Sequence, residues 1–173
     1  MYRDIFAKIS AEHQAPALEY SSVSKVYSTR APIVSTLRAR NGEASMDKQK
    51  VEQSVAAYFA ALSAGDEAGW LASFARNGAL HDPADTPPCI GEESLRGFFR
   101  TAYGAFASLS IRPENVFVRG SQAAVKFRGE GVGKNGRALS FEGIDIFDIN
   151  VAGRIQRVRG YWDAAAAFSQ LQA

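Results

Sequence analysis

The sequence predicts an α+β domain, a cone-shaped, barrel-like fold in which three N-terminal helices pack on one face of a curved antiparallel β-sheet. Three observations lead there. Apolar residues recur at helical spacing between residues 47 and 103. Beyond residue 109 come runs rich in Val, Ile, Phe, Tyr and Trp, broken by the turn signals Gly120-Ser121, Asn135-Gly136 and Asn150-Val151-Ala152-Gly153. With 46% hydrophobic residues, a chain of 173 carries enough apolar side chain for one substantial core. Helices first and a meander of strands afterwards is the order in which helices collect on one side of an antiparallel sheet.

The first helix is capped by Ser45 or Asp47 and runs through Ala64, with Val51, Val55, Tyr58, Phe59 and Leu62 on one face and Gly65 as its stop. Tyr58 is thereby placed on the buried side. Asp66 caps a second, short helix that carries Trp70, Leu71 and Phe74 and ends at Asn77-Gly78. A brief strand from Ala79 runs through Asp82-Pro83 into a loop, residues 84–91, stiffened by Pro87-Pro88. Glu92 to Tyr103 reads as the third helix, its apolar stripe being Leu95, Phe98, Phe99 and Ala102. Strands follow at Ser110 to Arg119 and Gln122 to Gly131, then a long hairpin from Ser140 to Trp162. Ala164 to Leu171 closes the chain as a short helix or tail.

Composition removes several function classes. The net charge of +2, from 20 basic and 18 acidic residues without runs, argues against an electrostatic nucleic-acid binder. Cys89 stands alone, which excludes an internal disulfide framework or a multi-cysteine metal site and points to a reducing compartment, the cytoplasm. No uncharged apolar stretch reaches the length of a membrane span, so a soluble protein is expected. Residues 1–45 differ from the rest, rich in Ser, Ala and scattered charge. They are read as a flexible arm, a targeting segment or a stretch ahead of a working start at Met46. Asp4, Glu12 and Glu19 weigh against targeting. The folded domain is expected over residues 46–173.

One acid is out of place on the hairpin. Alternation along its first strand puts Phe141, Gly143, Asp145, Phe147 and Ile149 on one face, and that face is the more apolar. Asp145 therefore belongs among aromatic and aliphatic side chains, where a carboxylate is costly and the proton is retained unless a partner is found. A protonated carboxyl is a hydrogen-bond donor.

From Met46 to Trp162 the chain resembles the ketosteroid isomerases, within the superfamily of cone-shaped domains similar to nuclear transport factor two. The resemblance is carried by Tyr58 followed by Gly65-Asp66, by Asp82-Pro83, by Ile144-Asp145, and by Gly153-Arg154-Ile155 with Tyr161-Trp162. It implies Asp82 as the catalytic base and Tyr58 and protonated Asp145 as donors to a developing oxyanion. It also implies a neutral, apolar substrate of the 3-oxo-Δ5-steroid class, no cofactor or metal, and a homodimer formed through the sheet. Phe74, Phe99, Phe147 and Trp162 are the expected pocket wall. Some family members carry tyrosines at the positions of Phe74 and Phe99, so no phenol chain is expected behind Tyr58 from those two sites.

The residue types agree with that chemistry. A carboxylate beside the carbon next to a ketone removes its proton and returns it two carbons along, moving a double bond into conjugation. Other readings of the same residues remain open. Tyr58 also reads as a core tyrosine, Asp82 as a turn former before Pro83, and Asp145 as a structural acid. The enzyme alternative is cyclisation or dehydration in the same cone, and the non-enzyme alternative is a small-molecule-binding or dimerisation module. His81 is expected at the rim, and His13 and Cys89 have no partners suggesting a metal or nucleophile. Ile144, Ile146 and Val158 are the expected apolar patch on the outer face of the sheet.

Overall fold

The computed structural model describes residues 47–172. The extension assigned to residues 1–45 lies outside them. Helix α1 (Lys48–Ala64) begins where Asp47 accepts a bond from the Gln49 N–H at 3.0 Å. It ends where Gly65 turns left-handed at φ 64 and Asp66 N–H reaches the Ala61 carbonyl at 2.9 Å. Its buried face is Val51, Val55, Tyr58, Phe59 and Leu62, the stripe that the periodicity predicts, together with Ala61.

Helix α2 (Glu67–Ser73) is capped by Asp66, which accepts from Gly69 N–H at 3.0 Å. It stops earlier than predicted, because Phe74 opens strand β1 (Phe74–His81) instead of closing the helix. Phe74 pairs with Ile155, and its ring lies 4.9 Å from that of Trp70 and 6.0 Å from that of Tyr58. Pairing with a strand about eighty residues later overrides the local helix signal, and Asn77-Gly78 falls within an irregular stretch of the strand.

After β2 (Cys89–Ile90) comes α3 (Gly91–Gly104), then β3 (Phe106–Arg119), β4 (Gln122–Gly133), β5 (Ala138–Ile149), β6 (Ile155–Trp162) and the short α4 (Ala164–Ser169). The six strands form one sheet in the order β2-β1-β6-β5-β4-β3. Every pairing is antiparallel except that of β1 with β6. Helix α1 packs on β3, β4 and β5, and α3 on β1 and β2, so the sheet curls around a core beneath the helices. Among the described residues no helix is long and apolar enough to cross a membrane.

Register decides which side chains face that core. Leu80, Val158, Phe147 and Ala123 align across four strands and are all buried. Burying side chains of this size stabilises the fold by about 1.5–3 kcal/mol each for the larger ones. Val158, expected on the outer patch, thus belongs to the inner face, opposite Phe147. The outer face instead pairs Ile144 with Tyr161 and Ile146 with Arg159.

Candidate active site

The next inner row across the sheet is Gly160 on β6, Asp145 on β5 and Val125 on β4. On the other side of Gly160 the chain leaves β1 through Asp82 and a cis peptide to Pro83, and Ala84 N–H bonds the Gly160 carbonyl at 2.7 Å. Asp82 and Asp145 therefore flank Gly160 from neighbouring strands. A methyl on Gly160 would lie 2.8 Å from Asp82 Oδ1 and 3.2 Å from Asp145 Oδ1, so both carboxyls lean over the same Cα and only glycine leaves room for them. Gly143 makes similar room in the adjacent row. There a methyl would meet the Phe127 ring and Trp162 Cβ at 2.7 Å each.

Trp162, at the end of β6, donates its indole N–H to Asp82 Oδ1. Burial raises the Asp82 carboxyl to about 6, and the Trp162 bond works against that rise by favouring the carboxylate. Asp145 is held well above the ordinary carboxylate range, first by burial and then by the charge of Asp82. It is 8% exposed and has no hydrogen-bonding partner among the described residues. The Tyr58 phenol is likewise raised well above its usual range, by burial, then by Asp145 and Asp82. Trp70 opposes that shift from nearby, although its buried indole N–H makes no hydrogen bond of full geometry.

The site thus joins three groups whose protons burial holds more tightly than usual, the carboxyls of Asp82 and Asp145 and the phenol of Tyr58. All three line one cavity of about 90 Å³, walled by Trp70, Phe98, Tyr103, Phe127, Phe141, Trp162 and Phe168 among others. Trp162 stands in the wall. Phe74, Phe99 and Phe147 do not, because their rings pack behind it, Phe147 at 5.1 Å from the Tyr58 ring and Phe99 stacked at 4.3 Å on Tyr103. Among the described residues no three His, Cys, Asp or Glu side chains stand together as a metal site. Cys89 is buried, its thiol pushed up by burial, which makes it a poor nucleophile.

Sequence reasoning missed Gly160 and Tyr103. Gly160 was visible only as a glycine within a strand, itself a signal of close approach by other groups. Tyr103 lies one helical turn beyond Phe99, lines the cavity, and donates its hydroxyl to the Leu62 carbonyl. A phenol thus does stand near Tyr58, from a position other than those of Phe74 and Phe99, but its proton is committed to the backbone.

The cone, its sheet register and its apolar interior define the class, and comparison with known families agrees. The model of the SnoaL-like domain matches residues 55–158, and the chain belongs to that family. Among solved structures, the chain is similar to the Δ5-3-ketosteroid isomerase of a Mycobacterium species, at 25% identity over 68% of this chain and 95% of that one, TM-score 0.61. It is similar also to SalBIII, an epoxide hydrolase/cyclase-like enzyme in pyran ring formation of the polyether salinomycin, at 24% identity over 69% and 95% of the two chains, TM-score 0.64. A third is a Mycobacterium tuberculosis protein in complex with estradiol-17β-hemisuccinate, at 24% identity over 67% and 95%, TM-score 0.61. Comparison with curated proteins gives no significant match.

Proposed function

We propose that the protein is a cofactor-free isomerase that moves a carbon–carbon double bond into conjugation with a ketone, with 3-oxo-Δ5-steroids as the leading substrate class. One observation carries this reading. The Asp82 carboxyl, raised to about 6, and the Asp145 carboxyl and Tyr58 phenol, both raised well above their usual ranges by burial, face the same apolar cavity. Asp82, as carboxylate, takes the proton from the carbon between the ketone and the double bond. The electron pair moves onto the ketone oxygen, giving a dienolate. Tyr58 and neutral Asp145 donate hydrogen bonds to that oxygen, and each such donor is worth about 2.7–4 kcal/mol in a site of this kind. Asp82 then returns the proton to the far carbon and the conjugated enone leaves. Atoms balance without any added reactant.

A second reading is favoured by the approach of the two carboxyls over Gly160. With Asp82 as base and Asp145 giving up its proton outright, the same pair serves cyclisation or dehydration of a polyketide-like molecule. Incubation with a 3-oxo-Δ5-steroid and no added cofactor, followed by absorbance of the conjugated enone, separates the two. Growth of that band supports isomerisation, and its absence refutes it. The proposal extends to a homodimer through the outer face of the sheet, in a cytoplasmic setting supported by the one free, buried cysteine.

A further inference from the structure

The cavity encloses about 90 Å³, whereas pockets for drug-sized ligands span roughly 300–1,000 Å³. A polycyclic ligand therefore enters only if a portion of the wall moves. Most of the wall is held by the main core. The exception is the end closed by Phe168, whose ring lies 6.0 Å from that of Phe106 and 6.2 Å from that of Trp162. Phe168 sits on α4, whose apolar anchorage is a second, smaller cluster of Leu139, Ala167 and Leu171, joined to the main core through Phe141 and Trp162, which pack on both.

The polar anchorage of that segment is distinctive. Strand β6 ends at Trp162, opposite Gly143, so the edge of β5 before Gly143 has no strand beside it on that side. Gln170 fills the gap with its side-chain amide, accepting from the Ser140 N–H at 3.0 Å and donating to the Ser140 carbonyl at 2.9 Å. Asn135 adds a bond from its Nδ2 to the Leu171 carbonyl at 2.8 Å. Bonds of this kind, made at an exposed edge, exchange readily for bonds to water, and segments held by few buried contacts open before the core does.

We propose that residues 164–172 form a gate over the cavity, with Phe168 as the plug that selects ligands by size and Gln170 as the latch. The hinge is at Trp162-Asp163, where β6 gives way to α4. Because Phe168 packs on Trp162, and Trp162 holds Asp82, displacement of the plug reaches the base through one intervening ring. The gate rests on the reading that the cavity takes an apolar small molecule and does not require the isomerisation itself.

Two phenols serve as probes, phenol itself and the four-ring estradiol. Their binding to the full chain and to its Gln170→Ala and Phe168→Ala variants is followed by calorimetry and by stopped-flow tryptophan emission. The gate predicts that estradiol associates at least tenfold faster with both variants and binds Phe168→Ala more than threefold tighter. Phenol should change by less than twofold. Gln170→Ala leaves the apolar packing in place, so it decides the matter if Phe168→Ala fails to fold. Estradiol association within twofold of the natural protein in Gln170→Ala, or no estradiol binding to any of the three, overturns the gate. Size-dependent gating in a protein that forms no enone would leave the gate standing and remove the isomerase reading.

Discussion

Asp82 and Asp145 meet over the Cα of Gly160, and burial raises both carboxyls, yet their surroundings differ. Trp162 supplies the asymmetry. It gives Asp82 a donor that favours the carboxylate, while Asp145 has none and feels the charge of Asp82.

The raised carboxyl of Asp82 carries a signed prediction for pH. Its folded-state value is about 6, against roughly 3.9 in an unfolded chain, so between those values the folded protein binds more protons. The resulting stability is fully present below about pH 4 and is lost as pH rises through 6, by about 3 kcal/mol in all. Asp82→Asn should melt several degrees above the natural protein at pH 8, and the difference should close toward pH 4. The proposed mechanism needs the Asp82 carboxylate, so activity should rise with pH through a limb near 6. Thermal melts and kcat/KM profiles across pH 4–9 check both.

Trp162→Phe keeps a ring in the wall and removes the donor to Asp82. A hydrogen bond to a charged group is worth about 1.5–3 kcal/mol, so the acid limb of the activity profile should move up by about one pH unit or more. An unmoved limb would mean that the indole N–H does not favour the charged form.

Gly160→Ala places a methyl within 2.8 Å of Asp82 Oδ1 and 3.2 Å of Asp145 Oδ1. One or both carboxyls must shift, and a displacement of about 1 Å is enough to cost roughly a hundredfold in rate. The loss should fall on kcat, with the circular dichroism spectrum retained. Full activity would show that the convergence of the acids is incidental.

The proposed dimer would use Ile144, 47% exposed on the outer face, and its cross-strand neighbour Tyr161, 52% exposed. Lys126, beside Ile144, is ion-paired to Glu142 at 3.1 Å, giving the patch a charged border. Light scattering at micromolar concentration should give twice the chain mass, and Ile144→Lys should halve it. A monomeric mass for the natural protein would contradict the dimer.

What the sequence revealed and what it hid divide along local and non-local lines. Asp145 on the buried face of β5 was legible, because Phe147 and Ile149 share its parity and both are buried. Tyr58 was legible for the same reason at helical spacing. Phe74 was not, since Trp70, Leu71 and Phe74 have helical spacing while the parallel pairing of β1 with β6 leaves no local mark. Val158 and Gly160 were hidden by register, because a hairpin loop that can take a bulge leaves the parity of its second strand open, and one residue of slip exchanges the two faces. The pocket wall suffered likewise. Aromatic type marks Phe99, Phe141 and Phe147 alike, and only packing separates those behind the cavity from those lining it.

The central claim is that Asp82 moves the proton while Asp145 only donates a hydrogen bond. Initial rates of conjugated-enone formation from a 3-oxo-Δ5-steroid, measured at pH 8 for the natural protein, Asp82→Asn, Asp145→Asn and Asp145→Ala, test it most directly. Loss of the only base should cost about 10²–10⁴-fold or more in Asp82→Asn. Asp145→Asn, which keeps a donor, should lose less than Asp145→Ala, whose loss should be about 10²–10³-fold. Equal losses in the two Asp145 variants, or an Asp82→Asn protein as active as the natural one, would contradict the account.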